Sequence, residues 1–235
     1  RGQSQHNGVC DFATLLEYVA EINEVKRIRF TTSHPNEMTE DLIACFGKID
    51  KLSKQFHLPI QSGSDRVLSA MKRNYTVLEY KSIIKKLKKV CPEISLTSDF
   101  IIGFPNETDE EFNQTKKIME EVNFDYSFSF LYSPRPGTPA SFIKDNISKE
   151  KKESRLREFQ DMNIIQGKKH TLNMIGTKQR ILIDRESKRK AGIFLGKTDN
   201  NRVIEVDGSS EILNKFVNVK IKAISEKNLE GIIIS

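Results

Sequence analysis

Repeated strand–helix units followed by a small all-β barrel are what this sequence predicts, and three observations carry the prediction. Apolar runs of strand length alternate with amphipathic helical stripes from Asp11 to about His170. Two of those runs, His57-Leu-Pro-Ile-Gln-Ser-Gly-Ser-Asp65 and Ser98-Asp-Phe-Ile-Ile-Gly-Phe-Pro-Asn-Glu107, break at Gly or Pro and then open a helix through a small polar residue. After Gly176 the apolar period falls to two. Repeated βα units imply a parallel sheet, and ligands of such sheets sit at the carboxyl ends of the strands. Both breaks are therefore candidate binding turns.

In chain order, Arg1 to Val9 reads as a polar loop. Asp11 caps a helix with Phe12, Leu15, Leu16, Val19 and Ile22 on its apolar face, and Arg27 to Thr31 follows as a strand. Thr39 opens a helix carrying Leu42, Ile43, Phe46 and Ile49, and Phe56 to Ile60 is strand again. Ser64 caps a short helix through Val67, Leu68 and Met71; Thr76 with Glu79 forms a capping box before Val77, Tyr80, Ile84, Leu87 and Cys91. Leu96 to Ile102 is a strand, and Thr108 with Glu111 forms a second capping box ahead of Phe112, Ile118, Met119 and Val122. Tyr126 to Tyr132 alternates aromatic and small residues as a strand, Pro134 to Pro139 is a stiff loop, and a charged helix from about Ser148 to His170 turns Leu156, Phe159, Met162 and Ile165 inward. Four strands are too few to close a βα barrel, so the sheet is expected to be part of one.

Gln179 to Asp184, Ala191 to Thr198, Arg202 to Val206, Phe216 to Ile224 and Leu229 to Ile234 are short strands joined by Gly, Asn and Asp turns. Five of them in about 60 residues suggest a Greek-key barrel of the oligonucleotide-binding type. The expected division is 1–170 and 171–235.

Of the 235 residues, 37% are hydrophobic and 30% charged, with no apolar run near the roughly 20 residues of a membrane span and no signal-type opening. The cytoplasm is the expected compartment. Cys10, Cys45 and Cys91 lack the close spacing of zinc or iron–sulfur ligands, so no metal site is expected in this chain and the cysteines read as reduced. The net charge is +6, and residues 171–235 hold 12 Lys or Arg against 8 Asp or Glu, an excess of four. A polyanion is the partner this implies. Arg185, Lys188, Arg189 and Lys190 gather on one connection and Lys197 and Arg202 flank the Asp199–Asn201 turn, either as a solvated loop or as RNA contacts.

The two candidate turns, together with Met71-Lys-Arg-Asn-Tyr-Thr76, Tyr132-Ser-Pro-Arg-Pro-Gly-Thr-Pro-Ala140 and Gly196-Lys-Thr-Asp-Asn-Asn-Arg-Val203, closely resemble the radical S-adenosylmethionine methylthiotransferases. The resemblance runs in order along essentially the whole chain. It implies a radical SAM barrel of βα units over 1–170 and a C-terminal TRAM domain over 171–235. It also implies 2-methylthiolation of N6-isopentenyladenosine beside the anticodon of tRNA, with two 4Fe–4S clusters, S-adenosylmethionine and an electron donor. The stretch Arg27-Ile-Arg-Phe-Thr-Thr-Ser-His-Pro35 fits that substrate. The alternatives are threonylcarbamoyl-adenosine in tRNA, a ribosomal protein, or a non-catalytic RNA-binding module. The family's Cys-x-x-x-Cys-x-x-Cys loop is absent from this sequence, so the expectation is a C-terminal fragment or truncated frame that makes no radical alone and has no catalytic residue of its own.

By resemblance, Gln61, Ser62 and Gly63 after one strand, and Asp99, Gly103 and Phe104 around the next, line the S-adenosylmethionine pocket. Ser33 and His34 point to the same mouth, with His34 alternatively a cap before Pro35. Arg73 pairs with the cofactor carboxylate or with a surface acid. Arg135 meets RNA or the target base, or is a turn residue between two prolines. Arg185, Lys188, Arg189, Lys190, Lys197 and Arg202 grip phosphates of the anticodon stem-loop without reading sequence.

Overall fold

The computed structural model describes residues 2–3, 9–31, 34–225 and 228–234. The chain divides into two compact units between Gln166 and Gly167. Among the described residues no helix is long and apolar enough to cross a membrane.

The first unit opens on a two-residue ladder, β1 (Gly2–Gln3) against β2 (Val9–Cys10), where a plain loop was expected. Helix α1 (Phe12–Glu21) starts at Asp11, whose Oδ1 accepts the Thr14 N–H at 2.9 Å. Its expected apolar face is only half used: Leu16 is buried and Val19 partly, while Phe12, Leu15 and Ile22 remain 44–47% exposed. The reason is that α1 docks by a narrow stripe against α2 (Glu40–Lys48), which buries Leu42, Ile43, Cys45 and Phe46. Between them Arg27 to Thr31 is not a ladder strand. Ile28 alone forms a parallel bridge, to Leu52, and the side chain of Arg29 reaches Ser53 Oγ at 3.3 Å.

The sheet is parallel, in the order β3 (Gln55–His57), β4 (Ser95–Ile102), β5 (Tyr126–Leu131). β3 stops earlier than its apolar run because, after the Leu58 N–H donates to Thr97 O, the Ile60 N–H goes to the Ser98 hydroxyl instead of a β4 carbonyl, and pairing resumes at a single bridge between Gln61 and Phe100. Helices α3 (Asp65–Ala70), α4 (Val77–Val90) and α5 (Asp109–Val122) start at Ser64, Thr76 and Thr108 as expected, the last two as complete capping boxes. Side chains alternate across a strand. Phe56, Leu96, Phe100 and Ile102 enter the core with Tyr80, Leu87, Phe112 and Ile118. The opposite face is open: Tyr126, Phe128 and Phe130 of β5 are 47, 48 and 55% exposed.

Helix α6 runs Lys149–Leu172. Phe159 is fully buried and Leu156 and Met162 are partly buried as the stripe predicts, but Ile165 is 56% exposed. The face that enters the unit is Arg155–Phe159–Asn163, one residue per turn, because its two polar members find partners inside. Asn163 Oδ1 accepts the Ser127 N–H at 3.0 Å and its amide donates to Ser127 O at 2.7 Å.

The second unit is a closed barrel of β6 (Lys178–Glu186), β7 (Ile193–Lys197), β8 (Val203–Asp207), β9 (Phe216–Ile224) and β10 (Leu229–Ile234), in the order β10-β8-β7-β6-β9. The closing pair β8–β10 is parallel and the other pairs antiparallel, which is the oligonucleotide-binding arrangement. Ile181, Ile183, Phe194, Ile204, Val219 and Leu229 fill its core. Gly196 sits where an added Cβ would meet Ile181 Cδ1 and Leu182 O at 2.9 Å, so the barrel wall demands glycine there.

Candidate functional site

The two sequence turns are joined at the carboxyl side of β3 and β4. The Gln61 N–H donates to Asp99 O and Gln61 O accepts from the Ile101 N–H, each at 2.9 Å, while Gln61 itself adopts φ 75°. Ser98 Oγ, fully buried, accepts the Ile60 N–H at 3.0 Å. Tyr75 OH donates to Ile60 O at 2.9 Å; burial pushes that phenol up to about 12, against the Arg73 charge that pulls it down. The first turn is thus fixed by groups of the second turn together with Tyr75 from the loop between α3 and α4.

The residues expected to line a pocket fall into two sets. Ser62 and Gly63 are held from behind by α5: Ser62 Oγ stands 3.4 Å from Thr115 Oγ1, and the Gly63 N–H donates to the same hydroxyl at 3.0 Å. A Cβ at Gly63 would meet Gln114 O at 2.4 Å and Thr115 Cα at 2.6 Å. Because both are backbone atoms, Gly63→Ala is expected to cost about 1–3 kcal/mol, read as a lowered urea midpoint with the slope unchanged. Phe104 is likewise enclosed, 1% exposed, with its ring 5.0 Å from that of Tyr132. Asp99, in contrast, lies on the open sheet face with its side chain 30% exposed and Oδ2 3.5 Å from His57 Nε2. His57 Nδ1 is 3.0 Å from Thr97 Oγ1, so a His–Thr–Asp cluster occupies the middle of that face beside Phe128.

His34 Nδ1 accepts the Asn36 N–H at 3.3 Å, the capping role, and its ring lies edge-on to Tyr75 at 5.2 Å. Ser33 falls outside the described residues. Arg73 is half-buried and has no carboxylate partner among the described residues. Arg135 is exposed, and its carbonyl accepts from the Thr138 hydroxyl at 2.8 Å in the turn that the prolines stiffen.

The sequence reading missed what holds the second turn. Gly103 takes φ +72°, and its N–H donates to Glu107 Oε2 at 3.1 Å. The Glu107 side chain is fully enclosed and is met by Arg155 of α6, itself 5% exposed, whose Nη1 donates to Glu107 Oε2 at 3.0 Å and to Glu107 O at 2.9 Å. Arg155 Nη2 reaches Asp109 Oδ1 at 2.7 Å. Burial pushes the Glu107 carboxyl up, with the Gly103 N–H and Arg155 opposing it in part. Nearby, Glu111 closes its capping box and also accepts from Arg66 Nη2 at 2.6 Å and from Ser64 Oγ at 2.9 Å, which hold its carboxyl down at about 2. The available signal was the i, i+4, i+8 spacing of Arg155, Phe159 and Asn163.

Among the described residues no three His, Cys, Asp or Glu side chains gather as metal ligands. Burial pushes the thiols of Cys45 and Cys91 up, away from the thiolate form that binds iron. These residues do not fit an iron–sulfur cluster. On the open sheet face Asp99 offers an acceptor and half-buried Arg73 carries a guanidinium, whereas both peptide groups of Gln61 are spent on β4 and the Gly103 N–H on Glu107.

In the barrel, Lys188, Arg189 and Lys190 lie on the β6–β7 connection, where Ser187 Oγ accepts the Arg189 and Lys190 N–H groups at 3.3 and 3.2 Å. Arg185 belongs to β6 itself rather than to the connection, and its guanidinium is paired with Asp184 at 2.7 Å. Lys190 is paired with Glu205 at 2.8 Å, and Arg202 Nε donates to Thr171 Oγ1 at 3.1 Å. Lys197 ends β7.

A parallel βα sheet with two joined turns at its carboxyl side, followed in sequence by a closed five-stranded barrel of the oligonucleotide-binding arrangement, defines the class. The Radical SAM superfamily model matches residues 10–119 and the TRAM domain model residues 172–234. The chain therefore matches a Radical SAM superfamily segment followed in sequence by a TRAM domain. Over 98% of its length it is 52% identical to the tRNA-2-methylthio-N(6)-dimethylallyladenosine synthase of Methylobacillus flagellatus, covering 52% of that protein. Proteins of the same name from Actinobacillus pleuropneumoniae and Vibrio cholerae are 47% and 48% identical over 100% and 98% of the chain, which covers 49% of each. The chain thus spans about half the length of the curated relatives it matches. In fold it is similar to coproporphyrinogen III oxidase of Escherichia coli, a radical SAM enzyme, with a TM-score of 0.50 and 22% identity over 60% of this chain and 32% of that one.

Proposed function

We propose that this chain is part of a tRNA methylthiotransferase that places a methylthio group on C2 of N6-isopentenyladenosine beside the anticodon. The observation that carries the reading is the 47–52% identity to proteins named for that product, sustained from the ligand turns through the barrel. S-adenosylmethionine bound at the mouth of the sheet supplies the oxidising radical chemistry such a C–H to C–S conversion requires. The chain's own part is to hold it: Asp99 accepts from ribose hydroxyls, Arg73 with His34 and Ser33 takes the methionyl end, and Gln61 and Gly103 shape the turns beside the nucleoside. Ser62, Gly63 and Phe104 fix the two turns from behind. The clusters and the electron donor of this reaction class belong to the proposal at the level of the whole enzyme, as does the cytoplasm as its compartment.

The Arg135 loop and the basic residues of the barrel bind the anticodon stem-loop, chiefly through phosphates. Mass spectrometry of nucleosides from a deletion strain tests the reading. Loss of 2-methylthio-N6-isopentenyladenosine, with the isopentenylated precursor accumulating and the intact gene restoring the product, is expected. An unchanged level of that nucleoside overturns the assignment.

A further inference from the structure

The basic residues singled out from the sequence sit on loops and edges, but the barrel has a second cationic surface on its wall. In the antiparallel pair β6–β9, Lys178 stands directly opposite Lys220, Arg180 opposite Asn218 and Leu182 opposite Phe216. Lys178, Arg180, Asn218, Lys220 and Lys222 are all exposed, while the residues between them, Ile181, Val219 and Ile221, fill the core. The cations therefore share one outward face, with Phe216 half-buried at its end.

Like charges directly opposite each other across a strand pair destabilise the sheet. No carboxylate among the described residues pairs with Lys178, Lys220 or Lys222; the acid nearest in register, Glu230 of β10, stands opposite Ala223. Two of the cations singled out from the sequence differ, since Lys190 is held by Glu205 and Arg185 by Asp184. A face that retains uncompensated repulsion is one whose counter-charge comes from outside.

Arg180 lays its guanidinium over the Phe216 ring, 4.1 Å from the centroid. Phe194, the other aromatic residue of the barrel, is 3% exposed and serves the core. A planar Arg–Phe stack flanked by lysines combines the two elements that bind unpaired nucleic acid: a platform for a base, and cations that displace the counterions of the phosphates. Asn218 between them offers both a donor and an acceptor.

We propose that the outward β6–β9 face is the surface that grips single-stranded RNA, with Lys178, Lys220 and Lys222 on phosphates and Arg180–Phe216 as the stacking platform for one base. The proposal rests on the RNA-binding reading above and moves its main contact from the loop to the sheet.

The test measures fluorescence anisotropy of a labelled anticodon stem-loop RNA with the whole 235-residue chain, titrated from about 50 to about 200 mM salt. Lys178→Glu places opposite charges across the strand pair, so thermal stability is expected to be kept or raised. Its affinity is expected to fall at least about tenfold, with the salt slope lowered by about 1. Phe216→Leu is expected to lose about five- to twentyfold with the slope unchanged, the signature of a lost stack. A variant with Lys188, Arg189 and Lys190 all replaced by Ala removes the loop contacts of the reading above and is expected to lose less affinity than Lys178→Glu. Lys178→Glu binding within about twofold of the parent at the same slope overturns the proposal. If the triple loop variant then loses affinity, the RNA reading stands and only the face is wrong. A parent chain with no salt-dependent affinity for the RNA overturns both.

Discussion

Arg155→Met is expected to lower the unfolding free energy of the chain by about 3–5 kcal/mol, the usual cost of leaving one member of a buried pair without the other. Met keeps the apolar stem of the side chain out to the Nε position, so the loss combines the missing charge with the space the guanidinium vacates. What remains is the Glu107 carboxylate, fully enclosed and keeping only the Gly103 N–H, with the Glu107 carbonyl and Asp109 also losing a donor. The loss should depend on pH in a definite direction. Burial already raises the Glu107 pKa, and a carboxyl whose folded pKa lies above its unfolded value favours the folded state when protonated. Stability therefore declines as pH rises through the window above the ordinary value of 4.5, and removing Arg155 raises the folded pKa further. Urea melts should show the Arg155→Met deficit shrinking as pH is lowered from neutrality toward about 5. Adding Glu107→Gln should recover part of the deficit at neutral pH, because a neutral amide is cheaper to enclose. A deficit below about 1 kcal/mol, or one independent of pH, would mean that the pair does not carry the turn.

The position of this pair explains why it was not legible from the sequence while the turn it supports was. Gly103-Phe-Pro stood out because glycine and proline punctuate the chain locally, and the capping boxes at Thr76 and Thr108 are read within four residues. Arg155 is separated from Glu107 by 48 residues, and an arginine in a helix of alternating charge reads as solvated until the sheet that receives it is known. The same limit applies to Ile165. It satisfies the apolar stripe by residue type, but Asn163, bonded to Ser127, sets the rotation of α6 and leaves Ile165 outside. Strand ends failed for a different reason: at the end of the apolar run Phe56–Ile60 the Ile60 N–H is captured by the Ser98 side chain, which interrupts the ladder whatever the hydrophobicity. The barrel was read almost residue for residue, because each of its strands is half-buried and alternation is a local signal. Of the site, the turns were visible and the assignment of pocket-facing against inward residues was not. Ser62 and Gly63 follow the strand as ligand residues do, and only the placement of Thr115 in α5 shows that they face the helix.

Glu111→Gln separates two roles that one side chain performs at the other end of the same turn. The carboxylate closes the capping box on the Thr108 N–H at 2.8 Å and takes the Arg66 guanidinium and the Ser64 hydroxyl. Gln can keep the cap and the Ser64 contact but cannot hold a charge. With its folded pKa depressed to about 2 from an ordinary 4.5, Glu111 stabilises the fold fully above the unfolded value. That contribution is lost as pH falls through the window toward about 2. Arg66 is 52% exposed, so solvent screens the pair, and the neutral-pH contribution is about 2 kcal/mol rather than the larger figure an unscreened shift would give. Glu111→Gln should therefore be about 2 kcal/mol less stable at pH 7 and converge with the parent near pH 2. The parent should lose stability on the acid side more steeply than the variant. Parallel curves, with the same difference at pH 7 and pH 3, would assign the loss to packing of the cap and remove the ion pair from the account. Since Glu111 joins α5 to α3 through Arg66 and Ser64, its protonation would loosen the segment between the two ligand turns first. Hydrogen exchange at low pH should accordingly show the N–H groups of Gly63 to Val67 opening before those of β4.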